Sequence, residues 1–242
     1  MGPTAVRLDC TGGRVSPCRG VFGKTAAGGR RCSAASEVRV GCELGLVVTG
    51  ASGSRLAAAF AERAAEHPDV GALHVVLSDG ARLVIAQELG KERATPHGFA
   101  AGLAVSPAGR AKLRTWAEAD LAAPVASGSH LLRGVVVLPC SAATACSLAA
   151  GVSRGLGQRL GDIALKQRWP LLLGFRESPL SAIHLEALLT LTRAGAVVVP
   201  PIPAFYLGGD EMGRFVDHYC MRLFDLLGLP VDRPDLRWRA AP

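Results

Sequence analysis

Five short runs of apolar, largely β-branched residues, each closed by a turn and followed by a helical pattern, constrain this chain more than any other feature. They read LVVTG (46–50), ALHVVLS (72–78), GVVVLP (134–139), WPLLLGF (169–175) and AVVVP (196–200). Runs this apolar suit strands buried on both faces, and strand–helix alternation makes successive strands parallel with helices covering the sheet. The spacing predicts helices over Ser54–His67, Ala81–Leu89 and Pro107–Glu118, then in SAATACSLAAG, SAIHLEALLTLTRAG and Asp210–Leu227; the rest of 92–133 reads as irregular. Residues 44–242 are expected to form one α/β domain, because a chain with 49% hydrophobic content can bury one substantial core.

In such a sheet, ligands bind beyond the carboxyl ends of the strands. The turns there read TGASG, SDGA, PCSAAT, RESPLS and PPIPAFY, which gather hydroxyls, backbone amides, an arginine, a glutamate and a tyrosine on one rim. In the first turn, Gly50 and Gly53 permit a tight bend and Ser52 offers a hydroxyl. The N–H groups that open the next helix lack internal partners, so the turn suits a phosphate. GASG alone lacks the spacing of a full dinucleotide fingerprint and has no Walker lysine, and an ordinary strand-to-helix loop reads the same way.

Residues 1–43 are rich in Gly, Arg, Ser and Cys without apolar periodicity, and are expected to be disordered or loosely attached. They carry seven Lys/Arg against three Asp/Glu, so +4 of the net +7 lies there and only +3 in the remainder. That mildly basic body, with no RNA-binding aromatic signature or zinc-finger spacing, gives no reason to expect a nucleic-acid partner. No secretory h-region and no long apolar run is present, which sets a cytoplasmic, non-membrane expectation. Among seven cysteines there is no C-x-x-C pair, so no structural metal is expected; Cys140, Cys146 and Cys220 read as reduced core thiols.

LPCSAAT, RLGDIALKQRWPLLLGFRESPLSAIHLEALL and GAVVVPPIPAFY, in that order, resemble the UbiX-type flavin prenyltransferases over about Leu44 to Trp238. The resemblance implies a flavodoxin-like (Rossmann-like) parallel sheet with helices on both faces, in homo-oligomers built from trimers, up to a dodecamer. It implies metal-free joining of dimethylallyl phosphate to reduced FMN at N5 and C6, with prenylated FMN passed to a UbiD-type decarboxylase. Carried onto this chain, it assigns FMN contacts to Gly50, Ala51, Ser52, Ser78, Ser141, Ala142, Ala143, Thr144 and Arg176. Lys166, Arg159, Tyr206 and Arg222 fall to the donor phosphate, with Lys166 assisting its departure. Glu177 falls to proton transfer in ring closure, and Glu88 to the same pocket.

Away from that resemblance each residue has a plainer reading. The serines read as helix N-caps. Arg159 and Lys166 read as a solvated helix face, Tyr206 as a half-buried loop residue and Glu177 as an ion-pair partner of Arg176. Glu88 reads as a surface carboxylate and His184 as a structural helix histidine. Four features depart from the family pattern: Asp79 where lysine is usual, Leu121 where relatives carry tryptophan, Ala57 for a glycine, and GLGQ for D-N-L-L. These departures keep open an FMN enzyme of another type, an isomerase or a decarboxylase. LPCSAAT in place of P-x-M-N-x-x-M-W counts against peptidyl-cysteine decarboxylation. A non-catalytic flavin-binding subunit would not need Lys166, Glu177, Tyr206 and Arg222 together.

Overall fold

The computed structural model describes residues 41–207 and 212–238; the expectation for the first forty residues lies outside them. Six parallel strands form one sheet in the order β3-β2-β1-β4-β5-β6. They are β1 (Cys42–Val48), β2 (Val70–Leu77), β3 (Leu113–Ala117), β4 (Gly134–Cys140), β5 (Leu171–Phe175) and β6 (Val197–Val198). The helices are α1 (Ser54–Glu66), α2 (Asp79–Glu88), α3 (Pro96–Ala101), α4 (Pro107–Ala111), α5 (Ala142–Ala149), α6 (Leu156–Gln167), α7 (Ala182–Ala194) and α8 (Met212–Leu226).

The expected fold class holds, with three differences. The helix expected over 107–118 stops at Ala111, and LRTWA becomes an edge strand beside β2. Thr115 and Trp116 suit a strand, and pairing with β2 outweighs the local helical pattern. The last strand pairs only at Val197 and Val198, since Pro200 and Pro201 have no N–H to extend a ladder. β1 opens at Cys42, so a boundary at residue 43 cuts into the sheet.

Alternation along β1 divides the core in two. Leu44, Leu46 and Val48 face α1, α2, α3 and α8, where Phe60 and Phe224 stack at 5.0 Å. Val47, with Val135 and Val137 of β4, faces α5, α6 and α7, against Leu156 and Leu160. Burial pushes the thiols of Cys140 and Cys220 up to about 12, so both behave as core atoms.

A polar cluster ties the amino-terminal half of the sheet. One Glu43 carboxylate oxygen lies 2.8 Å from His74 Nε2 and 2.8 Å from His130 Nε2, while Trp116 Nε1–H donates to His74 Nδ1 at 3.2 Å. The three acid and imidazole ligand atoms lie within 4.8 Å of one another, as metal ligands would. The indole donor, however, makes Nδ1 the acceptor and leaves the proton on Nε2, so His74 offers Glu43 a donor rather than a lone pair. The cluster reads as a hydrogen-bonded carboxylate.

Burial opposes ionisation of Glu43, yet hydrogen bonds from both imidazoles outweigh it and lower its pKa. Burial also lowers the pKa of His74, against the pull of Glu43. Both groups therefore contribute stability at neutral pH. The imidazole's share is lost as pH falls below about 6.5, and the carboxylate's below its ordinary range. Glu43→Ala should cost about 1 kcal/mol at neutral pH at this partly exposed position, roughly 2–4 °C in Tm. A thermal melt of Glu43→Ala that matches the parent would show that the cluster ties nothing.

Candidate active site

The chain builds outward from β1 in one direction and then from β4 in the other, so the turns after these two strands diverge and leave a crevice. Thr49 bridges that point: its hydroxyl donates to Pro139 O at 2.7 Å and accepts from Ser141 N–H at 2.8 Å. A Cβ at Gly50 would lie 3.1 Å from the backbone of Gly80, so the turns after β1 and β2 meet only because a hydrogen stands there. Gly53 holds φ at 121°, where a side chain would be strained.

The other rim serines act as caps. Ser78 Oγ accepts from Ala81 N–H at 3.1 Å, opening α2. Ser141 Oγ accepts from Thr144 N–H at 3.3 Å and shares a 3.0 Å hydroxyl contact with Thr144, opening α5 through Ala142 and Ala143. His184 is structural, as expected: it and Ser181 form a reciprocal capping box at the start of α7.

A hollow of about 600 Å³ opens beside the first turn. Ser52, Arg55, Gln87, Glu88 and Arg176 supply its polar groups, over an apolar floor that includes Leu56, Phe215 and Val216. Glu88 does more than line it. Its carboxylate accepts from Gly53 N–H at 3.0 Å and Ser54 N–H at 2.7 Å, capping α1 where Gly53 has no side chain to do so. Burial raises its pKa, but bonds from the Ser52 hydroxyl and these backbone amides outweigh burial, and the net shift is downward. The N–H groups expected to receive a phosphate are thus turned to the chain's own carboxylate. Arg176 is exposed, and among the described residues no carboxylate pairs with its guanidinium. The expected Arg176–Glu177 ion pair does not form; Glu177 accepts from Ser178 N–H at 3.0 Å.

The remaining candidates do not line this hollow. Arg159 and Lys166 ride on α6, across the sheet. Arg159 pairs with Asp162 at 3.1 Å and donates to Ala126 O at 3.3 Å, while Lys166 is exposed beside Gly128. Tyr206 OH meets His218 Nε2 at 3.0 Å, and its ring packs edge-on against Trp238 at 5.0 Å. Arg222 lies 3.4 Å from Asp225, which also takes both arms of Arg237. Leu121 is exposed.

Sequence reasoning missed three groups. Glu118 follows β3, the strand hidden by a helical pattern. Burial and the nearby Asp79 raise its pKa against one bond from Gly157 N–H, and its Oε2 is buried without a partner. Arg55 lines the hollow from the first turn of α1. On α7, Ile183, Leu185 and Leu189 are 68%, 54% and 49% exposed, a face too apolar for solvent. Only the α7 face was legible in advance, in the apolar repeat of SAIHLEALLTL.

Comparison with known proteins agrees with the fold. Residues 33–218 match the family designated Flavoprotein. Flavin prenyltransferase UbiX of Pseudomonas aeruginosa is 35% identical over 189 residues, covering 77% of this chain and 90% of the relative. A crystal structure of AnUbiX in complex with FMN and dimethylallyl pyrophosphate superposes with a TM-score of 0.69 at 33% identity, covering 84% of this chain and 100% of that one. A dodecameric FMN-dependent UbiX-like decarboxylase from Escherichia coli O157:H7 gives 0.68 at 35% identity, covering 82% and 100%.

The cap on α1 is testable by itself. Glu88→Ala should destabilise the fold by about 1 kcal/mol, as loss of an N-cap does. Because the carboxylate's pKa is depressed, its contribution stands at neutral pH and fades as pH falls through the lowered value. Urea melts at neutral and acid pH measure both effects, and an unchanged midpoint at neutral pH would remove Glu88 as the cap.

Proposed function

The chain belongs to the UbiX-type flavin prenyltransferases of the Flavoprotein family, and from that premise we propose that it joins dimethylallyl phosphate to reduced FMN at N5 and C6. The observation that carries this reading is the hollow beside the turn after β1, where Ser52 and Arg176 stand over an apolar floor. A flat ring system fits such a floor, and polar groups confined to the rim fix its orientation.

In this reading Gly50, Ala51, Ser52, Ser78, the Ser141–Thr144 turn and Arg176 hold FMN. Lys166, Arg159, Tyr206 and Arg222 hold the donor phosphate and stabilise its departure. Glu177 moves a proton during ring closure; its carboxylate is exposed and held by the Ser178 N–H rather than by Arg176. Glu88 positions the first turn. The product would serve a UbiD-type decarboxylase in the cytoplasm.

The four donor-phosphate groups do not line the hollow within one copy, and α7 exposes a large apolar face. Both observations support a homo-oligomer in which a neighbouring copy completes the site, and a dodecameric relative supports the same assembly. Asp79 and Leu121, the departures nearest the rim, favour FMN chemistry of another type as the second reading.

The deciding experiment is anaerobic incubation with reduced FMN and dimethylallyl phosphate, followed by mass analysis of the flavin. Prenylated FMN is expected; normal FMN binding without it would turn the assignment to the second reading. Glu177→Gln should slow ring closure at least about tenfold while FMN titration stays within twofold, since proton transfer by a positioned group is worth 10²–10⁴. Equal product spectra from variant and parent would take Glu177 out of the chemistry. Ile183→Glu, on the exposed outer face of α7, should shift sedimentation to smaller species. An unchanged profile would place the contact between copies elsewhere.

A further inference from the structure

Helix α6, which carries Arg159 and Lys166, opens at GLGQ with Gly155 as its N-cap, a residue with no side chain to satisfy the first N–H groups. Glu118 does this from outside the helix. Standing just past β3, it accepts the Leu156 N–H on its backbone oxygen at 2.8 Å and the Gly157 N–H on its carboxyl. The bond that Gln158 adds runs the other way, its Oε1 accepting from the Arg154 N–H at 2.7 Å.

Glycine at 155 is what admits that carboxyl. A Cβ there would overlap Glu118 Oε1, and one on Gly157 would press on Val47 Cγ1 at 2.7 Å. The backbone of Gly155 has φ −137° and ψ 173°, a conformation any residue adopts. The position is therefore reserved by Glu118 and not by the turn itself. Glu118 Oε2 is buried without a partner among the described residues, so this seat costs the fold more than a serine cap at 155 would.

Beyond Glu118 the chain runs beside α6 and is stitched to it. Arg159 Nε donates to Ala126 O at 3.3 Å, and Gln167 Nε2 donates to Gly128 O at 3.2 Å. The Arg159 N–H closes the first turn of α6 on Gly155 O at 2.9 Å. The backbone of Arg159 is thus set by the capped turn and its guanidinium by Ala126, and Glu118 begins the segment that supplies both.

We propose that Glu118 is a positioning residue for the donor phosphate: it caps α6 in place of a side chain at 155 and so fixes where Arg159 stands. This rests on the prenyltransferase reading, in which Arg159 and Lys166 bind that phosphate. Glu118 acts through Arg159 and needs no contact with the reacting atoms. Its loss should therefore weaken donor binding and leave FMN binding and the chemical step largely intact.

The test uses the full chain carrying Glu118→Ala, Glu118→Gln, Gly155→Ser, or Glu118→Ala together with Gly155→Ser. In thermal melts Gly155→Ser should lower Tm when Glu118 is present, because the new side chain meets the carboxyl. In the Glu118→Ala background the same change should raise Tm by about 2–4 °C, because the serine can then cap α6 locally. Calorimetric titration of the FMN-bound protein with dimethylallyl phosphate should show Glu118→Ala about fivefold weaker or worse. Glu118→Gln should stay within about twofold of the parent, since its amide oxygen accepts the same bond, and the double variant should recover to within about threefold. In anaerobic turnover the loss should fall on KM, with kcat and FMN affinity within about twofold. If Gly155→Ser shifts Tm in the same direction in both backgrounds, or Glu118→Gln is as impaired as Glu118→Ala, the cap is overturned. Reversed melts with unchanged donor affinity and KM in Glu118→Ala overturn the positioning role. A parent that binds FMN but makes no prenylated flavin overturns the prenyltransferase reading and the donor role with it, while the melts still decide whether Glu118 caps α6.

Discussion

Thr49 Oγ holds together the two strands from which the sheet grows in opposite directions. It is 2% exposed, donates to Pro139 O, which also takes the Thr49 N–H at 3.3 Å, and accepts from Ser141 N–H, which would otherwise face a buried strand end. A buried orphan of this kind costs about 1–3 kcal/mol, more than the net gain of an ordinary hydrogen bond. With β1 and β4 locked at their carboxyl ends, the turns after them must part, and the crevice follows from topology. The caps at Ser78 and Ser141 and the close approach of Gly50 to Gly80 then fix the rim on either side.

Charge around that rim is partitioned. On the α1 and α8 side, Glu88 satisfies the amino end of α1, and arginines outnumber the carboxylates facing them. On the α6 side, Glu118 is held between Gly155 and Gly157 at the amino end of another helix, with Asp79 as its charged neighbour. Asp79 places a second acid beside it. Burial and like-charge repulsion then act together, and the orphaned Oε2 of Glu118 fits a carboxyl that retains its proton more readily than usual. The basic and acidic sides of the crevice therefore offer different protonation chemistry within one fold.

Two observations on the single copy support the proposed assembly. Tyr206, Arg222, Arg159 and Lys166 do not line the hollow that Ser52 and Arg176 line, and the outer face of α7 presents Ile183, Leu185 and Leu189 to solvent. Apolar burial is worth roughly 25 cal/mol per Å², so an exposed stripe of this size is a standing drive toward association.

The sequence by itself determined the α/β class, five of the strands, the rim turns and the family, because apolar period and turn chemistry are local and leave their mark residue by residue. The plainer reading of Ser78 and Ser141 as caps, set beside their assignment to FMN, also holds, and so does His184 as structural. Strand β3 was illegible: LRTWA pairs with β2 only because β2 offers an open edge, a partner forty residues away in the chain. The same holds for Glu88 on the amides of Gly53 and Ser54, Glu43 between two imidazoles, and Arg55 beside Arg214. Each joins residues far apart in sequence, and the energies that set it are burial and Coulomb terms fixed by distance in space. Only the tertiary structure decided those, since no local pattern carries the distance between two side chains.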